Sequence, residues 1–473
     1  MPCLRLPALI AAAFLLSTCG SEPTPPTVSC RGPLLPNEAL FENAEVEPFL
    51  AVDPGNPAHL VGVWQQDRYS KGGAISVLAK VTSDAGQTWE TSSAPFSRCA
   101  GGTAANGGDY DRASDPWVAI SPDGTAHQLA LAFSVGANGG HRAILASRST
   151  DGGRNWNTPQ TVQGDSSTFF ALDKGSITAD PRSSSFVYAV WDRLTNQDQN
   201  DPPDAHGPAW FARSTDGGAT WEPARNIYDP GPNAQTIGNV IAVLPDGTLL
   251  NAMVVLIGIR STDATQAEVA VLRSTDKGAT WPGPTVTVSP VQNVTLLDPK
   301  TQRPVRTGGA LPSIAVDAST GSVHVVWEDS AFGDNSRNGI ALATSTDGGL
   351  HWSAPVHINR APSAPAFTPA VAAGGGKVGV AYYDLRDDIP TDAARFLASS
   401  WLAISADGGA SWQETALAGP FDLQTAPIAQ GYFLGDYQGL SWDGTSFVSF
   451  FAATNSGNAA DRTSLLFRRV APP

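Results

Sequence analysis

The sequence "STDGGATW" at Ser214–Trp221 is one of six near copies of an eight-residue pattern in a chain of 473 residues. The shared pattern is [ST]-x-D-x-G-x-x-W, and each copy is termed a box. The other five boxes are TSDAGQTW from Thr82, STDGGRNW from Ser149, STDKGATW from Ser274, STDGGLHW from Ser345 and SADGGASW from Ser405. A repeated ligand site and a repeated turn both explain the pattern. Asp accepts backbone N–H bonds in tight loops and Gly tolerates positive φ, so the pattern favours the turn.

A second repeat precedes each box and predicts a β-hairpin. Each copy has a strand of small apolar residues, a turn of the D-G or D-P type, and a β-branched or aromatic strand. The copies are EPFLAVDPGNPAHLVGVWQ from Glu47, DPWVAISPDGTAHQLALAF from Asp115, DKGSITADPRSSSFVYAVWD from Asp173, GNVIAVLPDGTLLNAMVVL from Gly238, LPSIAVDASTGSVHVVWED from Leu311 and TPAVAAGGGKVGVAYYDLRD from Thr368. Successive box aspartates lie 60 to 71 residues apart, a period that suits a four-stranded sheet with long loops.

A seventh hairpin, DYQGLSWDGTSFVSFFAATN from Asp436, has no box after it and only one further strand, Ser464–Val470. A radial propeller explains seven hairpins with six boxes if the last blade takes its outermost strand from Leu34–Ala44, near the start of the domain. The sequence therefore predicts an all-β fold, a seven-bladed β-propeller with each box between the third and fourth strands of a blade. A six-bladed propeller is the alternative.

The first residues predict an export signal. The apolar run Leu6–Leu16 is too short to span a bilayer, and the following residues up to Cys19 resemble the lipobox of bacterial lipoproteins. We expect a signal in residues 1–19 with lipidation at Cys19, a Pro-rich spacer in residues 20–36, and the propeller in residues 37–473. The expected product is an exported bacterial lipoprotein at the outer membrane, the cell surface or in the periplasm. A secreted protein with an ordinary cleaved signal is the alternative.

Charge and cysteine content restrict the partners and the compartment. The formal net charge is −15, and an acidic surface disfavours nucleic-acid binding. Export would place the chain in an oxidising compartment, where Cys30 and Cys99 can pair. We predict that disulfide, with two unpaired buried thiols as the alternative, and we expect a monomer.

The box pattern resembles the Asp-box, or bacterial neuraminidase repeat, of the sialidase superfamily, over nearly the whole chain after the signal. The resemblance implies a β-propeller that acts on or binds carbohydrate. Sialidases use three arginines on the substrate carboxylate, an Asp as general acid and base, and a Tyr nucleophile activated by a Glu. This chain departs from that pattern, because Glu47-Pro48-Phe49 replaces the R-I-P motif expected on the first inner strand.

Candidate site residues follow the second strand of a hairpin or precede the first, since both positions open onto one face of a propeller. The boxes lie on the opposite face. The predicted substrate-binding residues are Asp67, Arg68, His141, Asp192, Arg193 and Arg386. The predicted catalytic residues are Asp115, Asp173, Tyr383, Asp384 and Tyr437. Arginines bind carboxylates bidentately, so we expect an acidic sugar; alternatively, each neighbouring Asp and Arg forms a local ion pair.

Four carboxylates occupy equivalent positions at the entry to the innermost strands of units 1, 2, 3 and 7: Glu47, Asp115, Asp173 and Asp436. Unpaired carboxylates at close range repel each other. A nearby arginine, a bound cation such as structural Ca²⁺, or a raised pKa must therefore compensate. The alternative is that each carboxylate caps its own turn. We expect no other cofactor.

Three functions are compatible with this sequence. The first is a sialidase-like glycoside hydrolase or binding protein for acidic carbohydrate. The second is a polysaccharide lyase that acts on uronate polymers, for which the candidate residues are His141, Tyr188, Arg193 and His206. The third is a non-catalytic propeller that binds glycans or proteins at the cell surface.

Overall fold

The computed structural model describes residues 30–136, 139–167, 169–195, 206–259 and 265–473, and the predicted signal with Cys19 lies outside these ranges. The described residues form an all-β fold, as predicted. Short 3-10 turns occur at Arg98–Ala100, Ala104–Asn106, Ala331–Gly333 and Leu423–Thr425. Within the described ranges, we find no helix with the length and apolar character needed to cross a membrane.

The strands of the first half form antiparallel groups in chain order. The first group is β1 (Leu40–Asp53), β2 (Asn56–Tyr69), β3 (Ala74–Thr82) and β4 (Glu90–Ser92). The second is β5 (Arg112–Ile120), β6 (Ala126–Phe133), β7 (Arg142–Ser149) and β8 (Gln160–Asp165). One pair, Ala74 with Ala113, joins these two groups into a single sheet. The next sheet is β9 (Phe170–Ala179), β10 (Val187–Thr195), β11 (Ala209–Ser214) and β12 (Arg225–Tyr228).

The second half repeats this arrangement. Its sheets are β13 (Ala234–Val243), β14 (Leu249–Ile257), β15 (Gln266–Ser274) and β16 (Val286–Val291); then β18 (Ser313–Val316), β19 (Val323–Asp329), β20 (Gly339–Ser345) and β21 (Val356–His357); then β22 (Ala366–Gly374), β23 (Lys377–Asp384), β24 (Leu397–Ser405) and β25 (Gln413–Asp422). The last is β27 (Gly439–Trp442), β28 (Phe447–Thr454) and β29 (Thr463–Val470). A separate parallel pair joins β17 (Val305–Arg306) to β26 (Tyr432–Phe433). All seven predicted hairpins are present, and each box lies between the third and fourth strands of its group.

The core lies between consecutive sheets. Second strands are buried on both faces, because each sheet packs against two neighbours, and their tryptophans Trp64, Trp191 and Trp327 are almost fully buried. One hydrophobic cluster contains residues of β6 and β7 together with residues of β9 and β10, and another joins β14 and β15 to β19 and β20. The apolar strands predicted from the hairpin repeat therefore supply the packing between sheets.

Each box folds its own turn. The Asp151 carboxylate accepts a hydrogen bond from the backbone N–H of Asn155 at 2.9 Å, and the Ser149 hydroxyl accepts one from Gly153 at 2.8 Å. The other five boxes repeat both bonds, with the same N–H four residues after the Asp or hydroxyl residue. The turn interpretation of the repeat therefore accounts for the box aspartates.

Box glycines also pack one sheet against the preceding one. A Cβ atom on Gly278 would lie 2.5 Å from Phe211 of the preceding sheet. The first box makes the same contact with the last sheet, where a Cβ on Gly86 would lie 2.4 Å from Phe467. Innermost strands also contact each other in the order β1, β5, β9, β13, β18, β22 and β27, and β27 contacts β1. The first sheet therefore packs against the last one.

The last sheet does not have the predicted fourth strand. Leu34–Ala44 was expected beside β29, but the part of it in β1 is hydrogen-bonded to β2 instead. Among the described residues, β29 pairs with β28. The carboxylate of Glu45, which follows the segment in β1, accepts the N–H of Leu465 in β29 at 2.9 Å. The prediction of strand exchange between the chain ends is wrong.

The predicted disulfide between Cys30 and Cys99 is confirmed. It ties the segment before β1 to the loop between β4 and β5. A buried ion pair holds the same segment, since Arg112 donates to both carboxylate oxygens of Glu38, at 2.8 and 2.6 Å. The N-terminal segment is thus anchored to the first two groups of strands.

Candidate functional site

Five innermost strands carry a bulge at one shared position, occupied by a residue with positive φ. The residues are Glu47 (φ 56°), Asp115 (φ 50°), Lys174 (φ 47°), Gly238 (φ 71°) and Thr368 (φ 50°), and the strand register shifts at each of them. Left-handed backbone at non-Gly residues costs about 1–3 kcal/mol and clusters at functional sites. The third member of the predicted ring is therefore Lys174, and Asp173 lies one residue before that position.

Lys174 lies at the centre of the predicted acidic ring. Its Nζ is 3.3 Å from Asp115 Oδ1 and 3.6 Å from Glu47 Oε1, and it forms an ion pair with Asp436. The Nε–H of Arg306 donates to Asp436 Oδ1 at 2.8 Å. These five residues are termed the charge cluster. Two cations thus compensate three buried carboxylates, and of these five side chains Arg306 is the most exposed, at 26%.

The Lys174 ammonium lies among the carboxylates that were considered for structural Ca²⁺. In the part of the chain that the structure describes, no group of three or more His, Cys, Asp or Glu side chains could hold a metal ion. The carboxylates that would have formed such a site, Glu47, Asp115 and Asp436, already have an ammonium among them. The interpretation that a basic side chain compensates the ring fits this geometry.

The charge cluster has an uneven distribution of protons. Burial raises the pKa of Glu47 to about 7, although Lys174 opposes the shift. Burial also disfavours ionised Asp436, but Lys174 and Arg306 outweigh this effect and hold its pKa well below the usual range. The pKa of Lys174 is raised despite burial, because Asp436, Asp115 and Glu47 surround it. Asp436 is therefore ionised, Lys174 is protonated, and Glu47 titrates near neutral pH.

A cavity of about 290 Å³ opens beside the charge cluster. The charged side chains that line it are Arg68, Asp115, Arg142, Asp173, Lys174 and Arg306. Its apolar wall is formed by Leu131, Phe133 and Leu172. We term it the arginine cavity, because guanidinium groups from three separate elements, β2, β7 and β17, meet there.

Two of the three arginines have an unused hydrogen-bond donor. The Nε–H groups of Arg68 and Arg142 are buried with no hydrogen-bond partner among the described residues. Arg68 donates from Nη1 to the carbonyl of Gly73, and Arg68 and Arg306 share the Phe433 ring, with guanidinium carbons 5.1 and 4.6 Å from its centroid. Burial and the charge of Arg306 lower the pKa of Arg68 to about 10, so it remains a cation at neutral pH. The cavity therefore has hydrogen-bond donors available for an anion.

Two of the three predicted arginines are not in the cavity wall. Arg193 makes two hydrogen bonds to Asp165, at 3.0 and 2.7 Å. Arg386 donates to Asp384 at 2.6 Å and to Glu414 at 2.9 Å. Asp384 and Glu414 belong to the sheet that Arg386 follows, so the alternative of a local ion pair applies to Arg386. Asp165 ends β8 of the preceding group, so Arg193 is held from a neighbouring group of strands and not by Asp192 beside it. Arg142 and Arg306 are present where Arg193 and Arg386 were expected.

Of the tyrosines considered as catalytic groups, Tyr383 and Tyr188 lie in hydrophobic clusters, and Tyr437 is partly buried against Phe49 and Trp117. Tyr383 donates its hydroxyl to the Ala452 carbonyl at 2.9 Å, and Tyr437 donates to the Pro116 carbonyl at 3.0 Å. Tyr188 donates to a buried carboxylate at 2.9 Å. Burial raises the pKa of all three hydroxyl groups. None of them lines the arginine cavity.

The predicted carboxylates Asp67 and Asp192 act on the backbone. Asp67 accepts the N–H of Asn43 at 2.6 Å. Asp192 accepts the N–H of Gly238 at 3.0 Å, and Glu328 accepts that of Thr368 at 2.8 Å. Asp192 and Glu328 thus each bind the bulge of the next sheet, whereas Asp67 binds the backbone of β1 in its own sheet.

The predicted histidines also lie outside the cavity wall. His141 is exposed, directly before Arg142. His206 contacts the Thr195 hydroxyl at 3.0 Å from Nδ1. Of the predicted residues, the structure brings Arg68, Asp115 and Asp173 together in one cavity with Lys174.

Comparisons with known proteins concern the fold. No protein-family model and no curated protein matches the chain. Similar solved structures include the Hadza microbial sialidase Hz136, with 17% identity over 88% of this chain and 75% of that chain and a TM-score of 0.47. The PL25 ulvan lyase has 11% identity, with coverage of 91% and 95% and a TM-score of 0.49. The GH93 α-L-arabinofuranosidase of Fusarium graminearum has 12% identity, with coverage of 73% and 91% and a TM-score of 0.48.

Proposed function

We propose that the arginine cavity binds an acidic sugar through its carboxylate. The observation that carries the proposal is the convergence of Arg68, Arg142 and Arg306 on one cavity, with buried and unpartnered Nε–H groups on the first two. A buried donor without a partner is costly, and a carboxylate accepts from guanidinium groups with matching geometry. Arg68 donates one hydrogen bond to the carbonyl of Gly73. Because this acceptor is neutral, the positive charge of Arg68 remains available to a ligand.

The size and charge of the cavity favour a single acidic sugar unit. A volume of about 290 Å³ lies at the lower end of small-molecule sites. Although the chain has a formal net charge of −15, four basic and two acidic side chains line the cavity, so the cavity is locally basic. Sialic and uronic acids combine a carboxylate with apolar ring faces, which fits guanidiniums opposite a wall with Leu131 and Phe133.

Hydrolysis of a glycosidic bond is a second candidate function, favoured by Asp173. Its carboxyl group lines the cavity and accepts the N–H of Lys174 at 3.0 Å, and burial raises its pKa. A raised pKa lets a carboxyl group keep its proton to higher pH, which is what a general acid requires. β-Elimination needs a base instead. The described lining has no Tyr or His, and Lys174 is held as a cation by Asp115 and its neighbours. These observations favour a hydrolase over a lyase.

We also propose an overall architecture and a cellular location for the protein. The packing of the first sheet against the last supports a closed propeller with seven blades, of which the last has three strands. We propose that the signal directs export, that Cys19 carries the lipid anchor, and that the domain acts as a monomer. Labelling with radioactive palmitate in wild type and Cys19→Ser would test the anchor, and unlabelled wild-type protein would contradict it.

The test of binding uses the two ends of one strand. Arg142 begins β7 at the cavity, and Arg154 lies in the box that follows β7. Titration calorimetry with the methyl glycosides of N-acetylneuraminic acid and glucuronic acid should detect binding of at least one by the wild type. Arg142→Met should weaken it by about tenfold or more, and Arg154→Met should leave it unchanged. Equal affinity in Arg142→Met and wild type would contradict the proposal.

Hydrolysis has its own test. With the fluorogenic aryl glycoside of the sugar that binds, Asp173→Asn should abolish aglycone release while the variant still binds the methyl glycoside. The conservative amide keeps an acceptor for the Lys174 N–H but cannot donate a proton as a carboxylic acid does. Unchanged turnover in Asp173→Asn would contradict a catalytic role for this group. Wild-type binding without turnover would leave binding as the function.

A further inference from the structure

Phe169 lies at the entrance to the strand that forms one wall of the arginine cavity. It directly precedes β9, whose residues Leu172, Asp173 and Lys174 line the cavity. Its side chain is 48% exposed. At about 3.3 Å per residue, Phe169 is within about 13 Å of Asp173 along the strand. Phe169 is therefore an exposed aromatic residue close in sequence to the residues that line the cavity.

This ring has a rigid support. It packs edge-to-face on Phe170, with centroids 5.0 Å apart and an interplanar angle of 89°. The guanidinium of Arg193 lies 3.6 Å from the Phe170 centroid and 4.7 Å from that of Trp210. Two hydrogen bonds to Asp165 fix Arg193 in turn. Arg193, which the sequence predicted to bind substrate, thus holds in place the Phe170 ring on which Phe169 packs.

The support distinguishes Phe169 from other exposed apolar residues. Single exposed hydrophobic side chains are common on protein surfaces and need no explanation. Phe169 differs because it packs edge-to-face on Phe170, which a cation–π contact with Arg193 holds in place, and because it directly precedes the strand that lines the cavity. A ring that is fixed before binding loses little conformational entropy when a ligand stacks on it. The apolar face of a sugar ring is a suitable ligand for such a surface.

We propose that Phe169 forms a second sugar subsite, so that the ligand is an oligosaccharide or polysaccharide. Its acidic unit occupies the arginine cavity, and an adjoining unit stacks on Phe169. The subsite rests on the proposed function of the cavity, because the acidic unit sets the position of the rest of the chain.

The test compares long and short ligands in matched variants. The probes are the methyl glycosides and the hexamers of sialic acid and of glucuronic acid, measured by titration calorimetry. The wild type should bind the hexamer of the recognised acid more tightly than its methyl glycoside. In Phe169→Ala this ratio should fall roughly threefold to tenfold, the range expected for an aromatic contact, and Phe169→Trp should retain it. Leu350→Ala is the control, because Leu350 is 46% exposed but lies in a box loop.

The outcomes separate the two proposals. A ratio in Phe169→Ala equal to that of the wild type, with the methyl glycoside still bound, would contradict the subsite alone. An equal fall in Leu350→Ala would also contradict it, since the loss would not be specific to this place. A wild type that binds neither acid at any length would contradict the proposed function and the subsite with it.

Discussion

The two ends of β7 place charged groups in opposite environments. At the box end, the Asp151 carboxylate is exposed, and the Ser149 hydroxyl together with the N–H and side chain of Asn155 holds its pKa at about 2. At the other end, about 24 Å away along the strand, Arg142 enters the cavity beside the charge cluster, where burial raises the pKa of Glu47 to about 7. The Asp151 carboxylate is stabilised as an anion at the box end, whereas burial disfavours the anion of Glu47 in the charge cluster.

This difference distinguishes the residues that build the fold from the residues that form the candidate site. All six boxes make the same hydrogen bonds, because each must close the same turn. The bulges of the innermost strands share a backbone conformation but carry Glu47, Asp115, Lys174, Gly238 and Thr368. In this chain, identical side chains in a repeat form the scaffold, and variable side chains at a repeated backbone position form the candidate site.

Removing the central cation should have the largest effect on stability. Lys174→Met leaves Glu47, Asp115 and Asp436 buried with one cation fewer, and breaking a buried ion pair costs about 3–5 kcal/mol. Urea unfolding at pH 7 should report that loss. The exposed Lys71→Met is the control, with an expected change within about 0.5 kcal/mol. Equal stability of Lys174→Met and wild type would contradict the role of Lys174 in the cluster.

The second-largest expected effect is the pH dependence of stability that the Glu47 carboxyl group contributes. Its pKa is near 4.5 when unfolded and about 7 when folded, so the folded protein keeps a proton that the unfolded chain releases. This contribution is most favourable below pH 4.5 and is lost as the pH rises to 7, by about 3 kcal/mol at most. Relative to wild type, Glu47→Gln should therefore gain stability between these pH values in urea unfolding. A stability difference that is independent of pH would contradict the assignment.

The box carboxylate of Asp151 should contribute a pH dependence of stability that has the opposite sign to that of Glu47 and is smaller. The folded pKa of Asp151, about 2, lies below its ordinary value of 3.8, so its stabilisation is present above pH 3.8 and is lost as the pH falls to 2. Asp151→Asn should cost about 1 kcal/mol at pH 7, a modest value because the group is exposed to solvent. The cost should shrink in acid, as measured by urea unfolding from pH 7 to pH 2. A cost that grows in acid would be inconsistent with this account.

The hairpins and box turns could be predicted because their signals are local. Small apolar strands, turn residues and the box Asp and Gly each act within a few residues of each other, and the structure has all seven hairpins. The disulfide could also be predicted, from compartment and cysteine number. The fourth strand of the last sheet could not, because β2 and β29 compete for the same segment and local sequence does not decide between them.

The site could be predicted only in part, because a bulge shifts the register by one residue. Asp173 was aligned with Glu47 and Asp115, but the bulge places Lys174 in the ring and reverses the charge there. Arg306 belongs to a connection outside the repeat, and its partner Asp436 is 130 residues away, so no local pattern joins them. Arg68 was predicted because it follows a second strand directly.

The most direct test is a crystal structure of the protein with the methyl glycoside of the acid that binds in calorimetry. We predict its carboxylate within hydrogen-bond distance of the guanidiniums of Arg68, Arg142 and Arg306, with Lys174 still bound to Asp436. A sugar carboxylate bound elsewhere on the protein, with the three guanidiniums unliganded, would contradict the central claim that this cavity recognises an acidic sugar.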